Sequence, residues 1–155
     1  MKIYGSTRGK LFLAGLMALF FLVAFAGCGK ESRMDFKTAG GEVIPVALDD
    51  SDDFSLREKN GRLEILQKKK VMLTCEFIDK DAAKAKLDTM DQFRESSAVH
   101  SRSGDSIAYE ITGQKGRVSY YLFPVSEKTY LYAYTYLPWD AADAVRVRLS
   151  FGEKK

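Results

Sequence analysis

Phe54-Ser-Leu-Arg-Glu-Lys-Asn-Gly-Arg-Leu-Glu-Ile-Leu66, continued by Val71-Met-Leu-Thr-Cys-Glu-Phe-Ile78, is the stretch of this 155-residue chain that decides its fold class. Asn60-Gly61 is a residue pair that tolerates positive φ at both central positions of a two-residue turn. Phe54–Lys59 and Arg62–Leu66 are therefore predicted to form an antiparallel hairpin. Gln67-Lys-Lys-Lys70 makes the next reversal, its lysines solvating the turn and protecting an edge rather than forming a binding patch. In the third run Val71, Leu73, Cys75 and Phe77 share one strand face. Cys75 accordingly reads as a small core residue rather than a reactive thiol.

Working toward the C-terminus, Asp79 can cap a helix from Lys80 to about Glu95. Its apolar stripe is Ala83, Leu87, Met90 and Phe93, with Lys80, Lys84, Asp88 and Asp91 on the wet side. Strands are predicted at Ala98–Ser101, Ser106–Thr112, Arg117–Pro124 and Lys128–Leu137, separated by Gly104-Asp105, Thr112–Gly116 and Val125–Glu127. Two signals conflict at the end of the chain. Asp140 after Pro138 looks like a helix start, with Ala142, Val145 and Leu149 on one face, Asp143 early and Arg146 and Arg148 late, as the helix dipole favours. Val145-Arg-Val-Arg-Leu-Ser-Phe151 instead alternates with the period of a strand. A helix from Asp140 to about Arg148 is the favoured reading. The expected fold is α+β: an antiparallel β-sheet sandwich flanked by two helices, in a single domain over residues 52–155.

Working toward the N-terminus, residues 28–51 read as a polar tether. Val43-Ile44-Pro45-Val46 is its one apolar patch, expected at most as an edge strand because Pro45 lacks the N–H a central strand needs. Asp49-Asp50-Ser51-Asp52-Asp53 invites a calcium reading, but the loop pattern fails. The sixth position is Phe54 where glycine is required, and the twelfth is Asn60 where a bidentate glutamate is required. A solvated acidic loop is the better reading.

Residues 1–28 carry Lys2, Arg8 and Lys10, an apolar run Leu11–Phe25, then Ala26-Gly27-Cys28, with no acidic residue before Glu31. This resembles a bacterial lipoprotein signal peptide with its lipobox, apart from Phe25 where leucine is commoner. The resemblance implies that residues 1–27 are removed and that Cys28 becomes a lipid-bearing N-terminus, placing the domain outside the cytoplasmic membrane. An uncleaved span of 17 residues, Leu11–Gly27, and a plain signal peptide with an incidental cysteine are the alternatives. Removing the leader takes three of the 24 basic residues and none of the 21 acidic ones. The remainder has no net charge, which disfavours nucleic acid as a partner.

The element order resembles the PsbP-like (Mog-type) α/β domain found in small bacterial lipoproteins. The likeness rests on Asn60–Leu66 leading into Val71–Phe77, on Lys128-Thr-Tyr-Leu-Tyr-Ala-Tyr134, and on the closing segment ending Leu149-Ser-Phe151. It implies a non-catalytic accessory or interaction domain with no catalytic residues and no cofactor. The residues point the same way. His100 is the only histidine, too few for a zinc site, and neither a nucleophile motif nor a phosphate loop is present. Ser101, Ser103 and Ser106 beside it read as turn residues. One constellation stands out: Tyr130, Tyr132, Tyr134 and Tyr136 fall on one strand face, with Leu131, Ala133, Thr135 and Leu137 on the other, which suits a helix cover. The expected function is a membrane-tethered, non-enzymatic interaction domain with an envelope protein as partner, anchored through Cys28. The alternatives are a small-ligand (solute or sugar) binder using the aromatic strand face and, least favoured, an envelope hydrolase built on His100.

Overall fold

Asn60 and Gly61 adopt φ of 54° and 72°, and the strands they join, β3 (Phe54–Lys59) and β4 (Arg62–Gln67), pair antiparallel in the expected register, Lys59 opposite Arg62. The structure is a computed structural model, and it describes residues 30–92, 97–114 and 116–152. Cys28 and the apolar run before it, and Phe93 of the helix stripe, lie outside these residues. The next reversal is equally tight. Gln67 pairs with Lys70 at the start of β5 (Lys70–Asp79), and Lys68 and Lys69 occupy the turn with φ of 49° and 69°.

Helix α1 (Lys80–Gln92) follows, and the Asp79 carboxylate accepts the Ala82 N–H at 2.8 Å as its N-cap. Ala83 and Met90 are buried and Leu87 partly so, while Lys80, Lys84 and Asp88 are exposed. A meander of β6 (Ser97–Ser103), β7 (Ser106–Gly113), β8 (Gly116–Pro124) and β9 (Thr129–Thr135) then leads back to β5. The result is a seven-stranded antiparallel sheet in the order β3-β4-β5-β9-β8-β7-β6.

The polar tether expected over residues 28–51 is corrected by the structure. Glu31–Lys37 forms β1 and Val43–Asp49 forms β2, paired from Glu31↔Asp49 to Lys37↔Val43. Phe36, Ile44, Val46 and Leu48 are buried. The second correction concerns Pro45, which sits in a central strand and not at an edge: the small sheet runs β1-β2-β10. Its carbonyl accepts the Gly152 N–H at 3.0 Å. Backbone N and C=O of one strand residue point the same way, so the proline nitrogen faces the position where β10 (Leu149–Phe151) has already ended. No ladder bond inside the strand is lost.

Both C-terminal signals prove real in succession. Helix α2 covers Trp139–Arg146, with Ala142 and Val145 buried, and β10 follows three residues later, pairing Leu149 with Leu48 and Phe151 with Val46. The fold class is thus α+β, with two antiparallel sheets and two helices among the described residues. One apolar core joins both sheets and α2: Phe36, Val46 and Leu48 meet Leu63, Ile65, Leu73, Cys75, Leu131 and Ala133, closed by Ala142 and Val145. The Thr129 hydroxyl donates to the Glu42 carboxylate, tying the β1–β2 turn to the start of β9.

Leu48→Ala is expected to destabilise the protein by about 2–5 kcal/mol in urea unfolding, the cost of a cavity in a close-packed core; a tether residue would leave the midpoint unmoved. The left-handed region costs an ordinary L-residue about 1–2 kcal/mol. Replacing Lys68-Lys69 by Asn-Gly should therefore raise stability by about 1–2 kcal/mol, with an unchanged slope against denaturant.

Candidate functional site

Strand β9 is flanked by β5 and β8, so its side chains alternate between two faces of the large sheet. Leu131 and Ala133 enter the core shared with the small sheet and α2. Tyr130 and Tyr132 point the other way, where α1 covers them: they pack with Ala83, Met90, Ile107, Tyr109 and Leu122. The helix cover expected for the aliphatic face is there in α2, and the tyrosine face has one as well. Each face has a helix, because α1 leaves β5 toward the tyrosine side while α2 closes the other.

The four tyrosines consequently have different environments. Tyr130 is buried and its hydroxyl donates to Asp105 Oδ2 at 2.8 Å. Tyr132 is buried beneath Lys86, whose Nζ lies 4.3 Å from the ring centroid. Tyr134 is half-buried and Tyr136 is 75% exposed. Across the strands the rings form a row: Tyr109–Tyr120 at 5.0 Å, Tyr120–Tyr132 at 5.9 Å and Tyr132–Tyr134 at 6.3 Å between centroids. Aromatic neighbours at these spacings attract one another beyond the area they bury. Within the row Tyr109 and Tyr132 are core, Tyr120 and Tyr134 are half-buried, and beyond its end Tyr136 is the accessible tyrosine.

Burial pushes the Tyr109 hydroxyl up to about 12 and that of Tyr132 higher still, with neighbouring Tyr120 adding to both. In an unfolded chain a tyrosine ionises near 10. Between roughly pH 10 and 12 the folded protein thus holds protons that the unfolded chain has released, and stability falls as pH rises. The urea midpoint is expected to be level from pH 7 to 9 and to decline above about pH 10, each such tyrosine contributing at most about 1.4 kcal/mol per pH unit. Tyr109→Phe should flatten that decline.

A second locus was only partly visible in the sequence. Strand β6 carries a bulge: Val99 faces Tyr109 and Ser101 faces Ala108, leaving His100 as the extra residue. Bulges re-aim side chains, and the His100 imidazole stacks on the Trp139 indole, 3.7 Å between centroids and 8° from parallel. Trp139 opens α2 and also stacks on Tyr121 of β8 at 5.4 Å. Beneath it lies a cavity of about 370 Å³, lined by Ser101, Ser106, Tyr121, Phe123, Trp139, Asp143 and Arg146 among others. Arg146 donates through Nε and Nη2 to Asp143 Oδ1 at 3.2 and 3.0 Å, and its guanidinium lies 5.9 Å from the Tyr121 ring centroid.

Tyr121 is the anomaly of this site. Its side chain is 2% exposed, and among the described residues its hydroxyl has no hydrogen-bond partner. Leaving such a group unpaired costs about 1–3 kcal/mol. Burial raises its ionisation well above the ordinary tyrosine range, with the Asp143 carboxylate adding to the rise and Arg146 opposing it. Sequence reasoning placed Asp143 and Arg146 only as complements to a helix dipole and His100 as an isolated side chain. The available signal was Trp139, the one tryptophan of the chain, directly before the helix.

The remaining candidates resolve as follows. Ser101 and Ser106, read both as turn residues and as ends of predicted strands, sit on β6 and β7 and line the cavity. Cys75 is fully buried and its thiol is pushed up by burial, as a core residue requires. Among the described residues no group of three metal-ligating side chains converges. The acidic loop has its own cation: Arg148 donates to Ser51 Oγ at 2.7 Å and Asp52 Oδ2 at 2.8 Å, lies 3.5 Å from Asp49, and covers the Phe54 ring. No known family matches the chain, and no curated protein or solved structure is significantly similar to it.

Proposed function

We propose that this protein is a membrane-tethered, non-enzymatic accessory domain of a bacterial envelope, held by acyl chains on Cys28 and acting on an envelope protein partner. We further propose that its two sheets form a sandwich of the PsbP-like kind. The observation that carries the reading is the succession of a basic start, a 15-residue apolar run, Ala26-Gly27-Cys28 and then, from Glu31, folded strand. A core shared by both sheets supports the sandwich.

The start of β1 bears on what kind of anchor this reading requires. Lys30 accepts the Asp50 N–H at 3.0 Å, and Glu31 lies opposite Asp49. This edge therefore carries Lys30 and Arg148 beside Glu31, Asp49, Asp52 and Asp53. Acids outnumber bases there, so electrostatic attraction to anionic lipid cannot hold the edge at a bilayer. Acyl chains can, at about 0.8 kcal/mol per buried CH₂. The accessible Tyr134–Tyr136 end is the surface offered to a partner.

Expressed in a bacterium, the full chain should fractionate with membranes and yield a mature N-terminus at an acylated Cys28 by mass spectrometry. Cys28→Ala should abolish acylation. An unmodified Cys28 in a membrane-bound, uncleaved chain would establish a transmembrane anchor instead. A soluble, cleaved wild-type chain would establish a plain signal peptide.

A further inference from the structure

We infer that Asn60 is a site of spontaneous covalent modification. In the folded protein its side-chain amide is lost through a cyclic imide, leaving aspartyl and isoaspartyl forms of the β3–β4 turn. This concerns the turn alone and rests neither on the anchor nor on a partner. Asn60 is the sole asparagine among the 155 residues, and a glycine follows it. No aspartate precedes a glycine, so a side-chain carbonyl of this length meets an unshielded backbone nitrogen at this one place.

The chemistry needs only water and hydroxide. The Gly61 nitrogen gives its proton to hydroxide and attacks Asn60 Cγ, closing a five-membered imide. The bond from Cγ to the side-chain nitrogen breaks, and that nitrogen takes a proton from water and leaves as ammonia. Water then opens the ring at either carbonyl. Opening at Cγ gives an ordinary aspartate, whereas opening at the backbone carbonyl leaves the chain running through Cγ, an isoaspartate.

The fold meets the requirements of the attack. Lys59 pairs with Arg62, so Asn60 and Gly61 are the whole loop, and both are exposed. Among the described residues neither the Gly61 N–H nor the Asn60 amide has a hydrogen-bond partner. Glycine has no side chain to shield its nitrogen, and even a Cβ at Gly61 would have nothing within 4 Å. Lys59 is exposed, and its cation favours the transient amide anion. Arg62 does less, being paired with Glu76 at 2.9 Å. The obstacle is the turn itself, with φ of 54° and 72° at Asn60 and Gly61. The nitrogen reaches Cγ only when the peptide unit between them rotates. The turn ends a hairpin whose β3 is an outer strand of the large sheet, and local opening is cheapest at such places. The fold therefore slows the reaction without stopping it.

The two products differ in consequence. Asp-Gly suits the same turn, so the aspartyl form keeps the hairpin. The isoaspartyl form adds one carbon to the backbone between Lys59 and Arg62. A two-residue loop then no longer matches the register that buries Leu63 and Ile65.

To test this, the full chain in detergent is incubated in mildly alkaline buffer beside a synthetic peptide spanning Glu58–Leu66. Aliquots are cleaved after glutamate to release Lys59–Glu64. Mass spectrometry should show a gain of one mass unit at Asn60 in both, more slowly in the full chain and faster in each as pH is raised. Electron-based fragmentation separates isoaspartate from aspartate. Asn60→Gly, which cannot form the imide, should show no gain. In urea unfolding the isolated isoaspartyl form should have a lower midpoint than fresh protein, while Asn60→Asp should match fresh protein. The inference is overturned if the full chain is still unmodified once the peptide has converted completely. Its structural consequence is overturned if the isoaspartyl form unfolds at the midpoint of fresh protein.

Discussion

An antiparallel sheet can leave one face in water, but the central strands of this seven-stranded sheet carry apolar side chains on both faces, and both are covered. Here the covers are unlike. The small β1-β2-β10 sheet and α2 take the face bearing Leu63, Cys75 and Ala133, and α1 takes the face bearing Tyr130 and Tyr132. Strand β9 lies between β5 and β8 with both its faces covered, and Leu131 and Ala133 are wholly buried. Each covering element is fixed by that demand. Strand β2 holds its register because a one-residue slip would turn Ile44, Val46 and Leu48 outward. Strands β1 and β2 are therefore part of the fold, and Phe36, Ile44, Val46 and Leu48 are part of its core.

What was legible in the sequence was local. Asn60-Gly61 sets its own backbone, so the first turn is correct to the residue and its second strand runs one residue longer than expected, to Gln67, and Asp79 caps α1 as its side chain allows. The misreadings arose where a neighbour distant in sequence overrides a local rule. Pro45 argues against a central strand, yet the only bond it forgoes is one that β10, ending at Phe151, no longer needs. The last segment read as either helix or strand because its period changes near Arg146, and each period is obeyed on its own side. The alternation of the tyrosines was legible too. That a helix would cover the tyrosine face as well was not, since that depends on where α1 lies after β5. The cavity was the least legible, because β6, β7, β8 and α2 each contribute to it.

Charges in this domain are settled at short range. Arg57 pairs with Glu64 and Arg62 with Glu76 across the strands, Arg146 with Asp143 within α2, and Arg148 with the acidic loop. Exposed pairs of this kind contribute little to stability, about 0–1 kcal/mol each. Their consequence lies in the field. Each such pair leaves little net charge at its own position to steer a charged partner over distance, whereas the acid-rich edge around Asp49 and Asp52 keeps a negative excess that Arg148 only partly offsets.

The position of the anchor and the extent of the fold constrain each other. In the sequence only Gly29 and Lys30 stand between Cys28 and β1, and β1 is bound along its full length to β2, whose Ile44, Val46 and Leu48 lie in the core. If Cys28 carries lipid, the domain has no slack with which to reach away from the bilayer. A span of two residues extends at most about 7 Å. The edge containing Lys30, Asp49 and Arg148 is then held against the headgroups, and the domain's orientation is set by a strand pair instead of averaged by a linker. A partner under these conditions comes to the membrane surface or resides in it. A domain on a long tether would impose no such requirement, so with lipid on Cys28 the pairing of β1 along β2 would narrow the class of partner as well as complete the small sheet.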